Sequence, residues 1–154
     1  FGEGVIVSKK IRVARMLGVS RGSLPFNYLE DPLFWGVVKI FHLENTYHKI
    51  INQMDTWKGK SMSQAGRVCL VNSVITSMCV YVFSLYIWPR ILLKNLQRLI
   101  LNFIWTGSIH ERKFFIVDWS DCIRPVDMGG MGIKDLKRFN ESLIKKFTWS
   151  LLTS

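Results

Sequence analysis

From Val68 to Trp88 the chain runs for 21 residues without a charged side chain, and Arg67 and Arg90 stand just outside its two ends. A helix rises about 1.5 Å per residue, so the run is long enough to cross a bilayer. Its polar residues argue against that use. At about 100° per residue Asn72, Ser73, Thr76 and Ser77 collect on one side, while Val68, Val71, Val74, Ile75, Met78 and Val82 collect on the other. This is the pattern of a helix packed on one face against protein. Positive charge at both ends also removes the asymmetry that orients a membrane span. The run predicts a core helix in an α-rich domain, and no membrane partner is expected.

The segments around it read the same way. Tyr47, Ile50, Ile51, Met54 and Trp57 fall on one face of a helix that starts near Leu43 and stops at Gly59. Ser61 and Gln64 have the spacing of a capping box, which starts the next helix at about Met62 and carries it toward Tyr86. Pro89 punctuates it. A third helix is expected over Arg90–Trp105, with Leu92, Leu93, Leu96, Leu99, Ile100, Phe103 and Ile104 inward and Lys94, Arg98 and Asn102 as its polar stripe. Asp135 is the expected N-cap of a last helix. Leu136, Phe139, Leu143, Phe147 and Leu151 would face the core there, while Lys137, Arg138, Lys145 and Lys146 make the helix basic.

The rest is less regular. Val5, Ile6 and Val7 favour a strand, Ser8 a cap for a short helix to Leu17, and Gly18 its end. Residues 24–34 read as extended. Pro25 and Pro32 restrict them to an edge or a hairpin. Residues 107–134 are rich in loops, with a strand expected at Phe114–Val117 and a tight turn at Gly129-Gly130-Met131-Gly132. Three regions follow: 1–42, 43–106 and 107–154. The ends, Phe1 rather than Met and a helical pattern still running at Trp149, suggest a piece of a longer chain.

Charge says more about function than any motif does. The 154 residues carry a formal net charge of +10, with a pI near 9.8 and 49% hydrophobic residues. Between Asn45 and His110 seven basic residues face the single acid Asp55, so this helical block alone carries +6. A basic helical block is the footprint of a phosphate-binding surface, although a solvated basic face has the same composition. Lys58 and Lys60 flank Gly59 at a helix end, beside the apolar anchor Trp57. Lys94 and Arg98 lie one turn apart. Arg67 falls on the apolar side of its helix, where it is aimed at a phosphate or at a buried carboxylate such as Asp55 or Glu44.

Catalytic signals are missing. Two-metal nucleotidyl transfer needs carboxylates close enough to hold two cations about 4 Å apart. Glu30 and Asp31 are adjacent and so point to opposite faces of a strand, and Asp118 and Asp121 read as a solvated pair or a cap. His42, His48 and His110 are scattered, so no catalytic residue and no metal ligand is assigned. The glycine turn lacks the GK[ST] of a phosphate loop. Cys69, Cys79 and Cys122 form no metal-binding or disulfide pattern, so a reduced compartment is the default.

Five segments in order resemble plant non-LTR (LINE-type) retrotransposon reverse transcriptases. Leu24-Pro25-Phe26-Asn27-Tyr28-Leu29 with Pro32-Leu33-Phe34 is similar to the family's LPFxYLGxPL segment. Trp57-Lys58-Gly59-Lys60, Ser63, Ala65-Gly66-Arg67-Val68 and Ser73-Val74-Ile75 are similar to its WKGKxLSxAGRVxLVxSVI block. Trp88-Pro89, Asn102-Phe103-Ile104-Trp105 and Gly129-Gly130-Met131-Gly132-Ile133 continue it.

The resemblance implies a mainly α fold: a helical thumb-like bundle preceded by a short β-hairpin remnant of a palm. It makes Phe26, Tyr28 and Leu29 primer-grip-like, residues 43–106 the thumb, and residues 107–154 a connector with a last helix. The implied partner is an RNA–DNA hybrid or another duplex, held through backbone phosphates by Lys58, Lys60, Arg67, Lys94 and Arg98, together with the missing palm of the parent chain. The palm's acidic pair would lie upstream of Phe1, so this chain alone is expected to be inactive. It is expected to need no cofactor of its own, while magnesium is implied for the intact enzyme. The family's setting is intracellular, nuclear or cytoplasmic. Two departures stand out. Glu30-Asp31 replaces Gly and an apolar residue, placing acids that repel phosphate beside the grip, and Asn72 replaces a usual lysine. The other class of function open to such a chain is a structural or membrane-associated remnant with no nucleic-acid partner.

Overall fold

The computed structural model describes residues 7–16, 18, 26–28, 31–34, 36–111 and 117–153. The fold is mainly α, in two compact units, Phe1–Gly36 and Val37–Ser154.

In the first unit, α1 spans Val7–Met16. Val7, expected in a strand, opens this helix instead, because the lysine- and arginine-rich run that follows favours helix and carries it back past Ser8. Val5, Ile6 and Leu17 lie outside the described residues. Gly18 follows at φ +62° and its N–H reaches Arg15 O at 3.3 Å, which ends the helix as its position predicts. Strands β1 (Phe26–Tyr28) and β2 (Asp31–Leu33) pair antiparallel in the register Phe26↔Leu33, Asn27↔Pro32, Tyr28↔Asp31. Among the described residues they pair only with each other.

The second unit is built around α5 (Arg90–Thr106). Its Leu92, Leu93, Leu96, Ile100, Phe103 and Ile104 are buried, as the periodicity predicts. Asn102 is buried too, contrary to its expected place in the polar stripe. Its side-chain amide donates to Ile109 O at 3.5 Å, because the chain folds back over the last turn of α5. Helix α2 (Ile40–Asp55) adds Leu43, Ile50 and Met54 to the core, and Trp57, just past its end, packs on Phe103 with ring centroids 5.1 Å apart.

The uncharged run begins as α3 (Gln64–Leu70), passes through a π-helical turn at Val71–Ile75 and continues as α4 (Thr76–Leu85). Its N-cap is Ser63, whose Oγ accepts the Gly66 N–H at 3.2 Å. Ser61, the expected cap, is held in the preceding 3₁₀ turn, Gly59–Ser61, where its hydroxyl donates to Lys58 O at 2.8 Å. The π turn takes in an extra residue, which rotates everything after it relative to a plain α-helix. The buried track therefore runs Val71, Ile75, Cys79, Val82 and Phe83. Among the described residues this is one helix, Gln64–Leu85, long and apolar enough by length and composition to cross a membrane, with a mean hydropathy of 1.9.

Helix α6 is a single turn, Trp119–Cys122, with Asp118 at its N-cap position and Asp121 paired to Arg124 at 2.9 Å. Of the strand expected at 114–117, residues 114–116 lie outside the described residues and Val117 is in a bend. The glycine turn closes with Gly132 N–H on Arg124 O at 2.8 Å and leads into α7 (Leu136–Thr153). Asp135 caps α7, its Oδ1 accepting the Lys137 N–H at 3.0 Å. The core face of α7 is shorter than its pattern suggests. Leu136 is buried, and Phe139 and Leu143 are half-buried, but Phe147 and Leu151 are exposed. Helix α4 and α5 cover only the first turns of α7, and every described residue after Ile144 is exposed.

Candidate nucleic-acid interface

The cations assigned from the sequence sit on and around α5, and its two ends hold them differently. At the C-terminal end Gly107 adopts φ +77°, a left-handed cap that glycine enters without steric cost. The 3₁₀ turn at Gly59 lies directly on it. A Cβ added to Gly59 would meet Gly107 O and the Phe103 ring at 2.5 Å, and one added to Gly107 would meet Gly59 C and Lys60 N at 2.6 Å. Two glycines thus let two backbones touch.

Arg67 locks this contact. Its Nε donates to Gly59 O at 2.8 Å and its Nη1 to Ile104 O at 2.9 Å. The sequence leaves Arg67 between a phosphate and a buried carboxylate, and the acceptors seen for these two groups are carbonyl oxygens. Asp55, one of the acids in question, lies instead 2.7 Å from His110 Nε2. Lys58 and Lys60 are both exposed on the turn that Arg67 holds, and Lys60 Nζ forms an ion pair with Glu111.

Arg98 is exposed midway along α5. Partial burial pushes the Tyr47 hydroxyl up from its ordinary value, and the positive charge of Arg98 partly opposes this. The N-terminal end of α5 is set by the turn at Trp88-Pro89. Asn140 of α7, which is 2% exposed, accepts the Trp88 N–H at 2.9 Å and donates to Phe83 O and Tyr86 O at 2.9 and 2.8 Å. Three backbone groups that the end of α4 leaves open are met by one neutral side chain. Lys94 projects here, on an open hollow it shares with Arg90, Leu93, Gln97 and Lys137.

Asn72, in the place of the resembling family's lysine, has a job that a lysine could not do. Its Nδ2 donates to Gly132 O at 3.0 Å while its Oδ1 accepts the Lys134 N–H at 3.1 Å, which ties the glycine turn to the π turn. A lysine has no acceptor. Of the primer-grip-like residues, Phe26 and Tyr28 lie on β1 and Leu29 lies outside the described residues.

Among the described residues no three His, Cys, Asp or Glu side chains gather where they could hold a metal ion. Burial pushes the Cys79 thiol up to about 12, and Cys122 is also raised by burial with Asp121 adding to it, so both behave as inert core residues.

Two plant proteins are similar to this chain. One, from Arabidopsis thaliana, bears a name that assigns it provisionally to ribonuclease H; it is 34% identical over 104 residues, which is 68% of this chain and 17% of that protein. The other, an uncharacterized mitochondrial protein of the same plant, is 31% identical over 74 residues, 47% of this chain and 48% of its own length. The chain thus spans about a sixth of the first relative and about half of the second. No protein-family model and no solved structure matches it.

Two of the cations at the hollow are not assigned as contacts from the sequence. Arg90 counts there only toward the basic block and as the flank of the uncharged run, and Lys137 only as part of a basic helix. Their meeting depends on Asn140, whose partners lie 52 to 57 residues away in the chain.

Proposed function

We propose that the chain is a retrotransposon-derived segment whose second unit grips a nucleic-acid duplex by its backbone phosphates, without catalysis of its own. In this reading residues 43–106 act as a thumb, residues 107–154 as the connector and last helix that brace it, and residues 1–42, with their short hairpin, are what remains of a palm. The observation that carries it is the set of exposed cations along α5 and its flanking turn: Lys58, Lys60, Lys94 and Arg98. Arg67 serves this surface indirectly, by holding the turn that presents Lys58 and Lys60. The five ordered sequence motifs support the retroelement origin. The ribonuclease name of one relative supports a nucleic acid as the partner. Backbone contacts position a duplex without reading its sequence.

Binding to an RNA–DNA hybrid across a salt series is the test. Affinity should fall steeply with salt, with a log–log slope of about 0.9 per neutralised phosphate in a B-form duplex. Salt-independent binding, or none, sinks the proposal. The helix Gln64–Leu85 gives one observation in favour of a membrane-associated remnant. Partition into detergent without hybrid binding would favour that alternative.

A further inference from the structure

Asn140 fixes the register of α7 against the turn that opens α5. Lys137 lies three residues earlier, on the same face of α7. It is thereby brought to an open hollow of about 250 Å³ lined with Arg90, Leu93, Lys94 and Gln97. Arg90 and Lys94 are one turn apart on α5, and both are exposed. Among the described residues neither forms an ion pair with a carboxylate. Lys137 Nζ forms an exposed i,i+4 ion pair with Glu141 at 3.8 Å, too long for a hydrogen bond and of the weak kind that surface pairs make.

Three like charges converging on one hollow repel one another, and an anion between them relieves that repulsion. Pro89 precedes Arg90 and offers no side-chain cap, so the first N–H groups of α5 add the positive end of the helix dipole. Gln97 supplies a neutral amide donor. The hollow is several times the roughly 30 Å³ that a water occupies in the liquid, which leaves room for a phosphate group.

We infer that this hollow seats a backbone phosphate of the bound duplex, with Arg90 and Lys137 as direct contacts beside Lys94, and Asn140 as the positioning residue that assembles them. The inference rests on the nucleic-acid reading and adds a specific seat to it.

The test compares two variants of the whole chain that each lose two exposed cations. Arg90→Gln/Lys137→Gln leaves Lys94 as the hollow's one cation. Lys145→Gln/Lys146→Gln removes the same charge from the uncovered part of α7. With an RNA–DNA hybrid, the first should lower affinity on the order of tenfold and reduce the magnitude of the salt slope by about one, as expected for one phosphate seat, while the second should change the slope far less. In the wild type, the Gln97 side-chain amide resonance should move when hybrid is added. Equal losses in the two variants, an unaffected Arg90→Gln/Lys137→Gln variant, or a stationary Gln97 resonance would each overturn the seat while wild-type binding keeps the nucleic-acid reading intact. A wild-type chain that binds no hybrid would overturn both.

Discussion

The two ends of α5 solve the same problem with opposite chemistry. Each must hold an incoming loop against the helix, and each uses one polar side chain to satisfy the loop's backbone. At the C-terminal end the clamp is Arg67, which is charged and half-buried, and the acids nearby are already engaged: Lys60 pairs with Glu111, and Asp55 lies against the His110 ring. At the N-terminal end the clamp is Asn140, neutral and buried, while Arg90 and Lys94 stand open. Burying an amide whose donors and acceptor are all met costs little, whereas burying a guanidinium costs several kcal/mol in desolvation. The neutral clamp can therefore sit inside the core and the charged one must stay at its rim. Net charge is consequently a poor map of where a polyanion would sit, because part of the +6 carried by residues 45–110 is already matched at one end of the helix.

The largest effect should come from Gly107→Ala. It combines a strained left-handed backbone with a Cβ driven into the backbone of Gly59 and Lys60. A loss of about 3 kcal/mol or more in urea unfolding is expected. A cost below about 1 kcal/mol would mean that the two backbones do not touch. Asn140→Ala should follow at about 3 kcal/mol, since it leaves the buried Trp88 N–H and two carbonyls without partners.

Arg67→Ala should cost less, about 2 kcal/mol, because Arg67 is only half-buried and its removal opens a path for water toward the Gly59 and Ile104 carbonyls. If Arg67→Ala proves costlier than Asn140→Ala, the contrast between rim and core clamps fails. The same variant sharpens the functional side. With the folded protein, its salt slope for hybrid binding should match the wild type, whereas a direct phosphate contact would lower the slope by about one. The smallest effect is expected from Glu111→Gln, which releases Lys60 from an exposed ion pair. Hybrid affinity should rise by about twofold or less, since such pairs contribute about 0–1 kcal/mol. A fall in affinity would argue that Lys60 faces no phosphate.

The order and extent of the main helices could be read from periodicity. The buried face of α5, the end of α1 at Gly18, the cap at Asp135 and the glycine turn all follow from local signals. The errors share a cause. Ser61 lost the cap to Ser63 because the Gly59 turn, packed on Gly107, had already used it. Asn102 left the polar stripe because a later loop covers it. Phe147 and Leu151 repeat at core spacing on a part of α7 that no described element covers. Angular counting along the uncharged run drifts after Val71 because a π turn inserts a residue.

By itself, the sequence determined the helical class, the excess of positive charge on the middle helices and the positions of most helix ends. These depend on residues within a turn or two of one another, where spacing and propensity act. Only the tertiary structure decided what Arg67, Asn72 and Asn140 bind and which cations remain open. The partners of a polar group inside a packed domain are chosen by whichever backbone is brought beside it. For Arg67 that includes a carbonyl 37 residues away, and for Asn72 one 60 residues away. No local pattern encodes such distances, because they follow from how all the apolar faces pack at once.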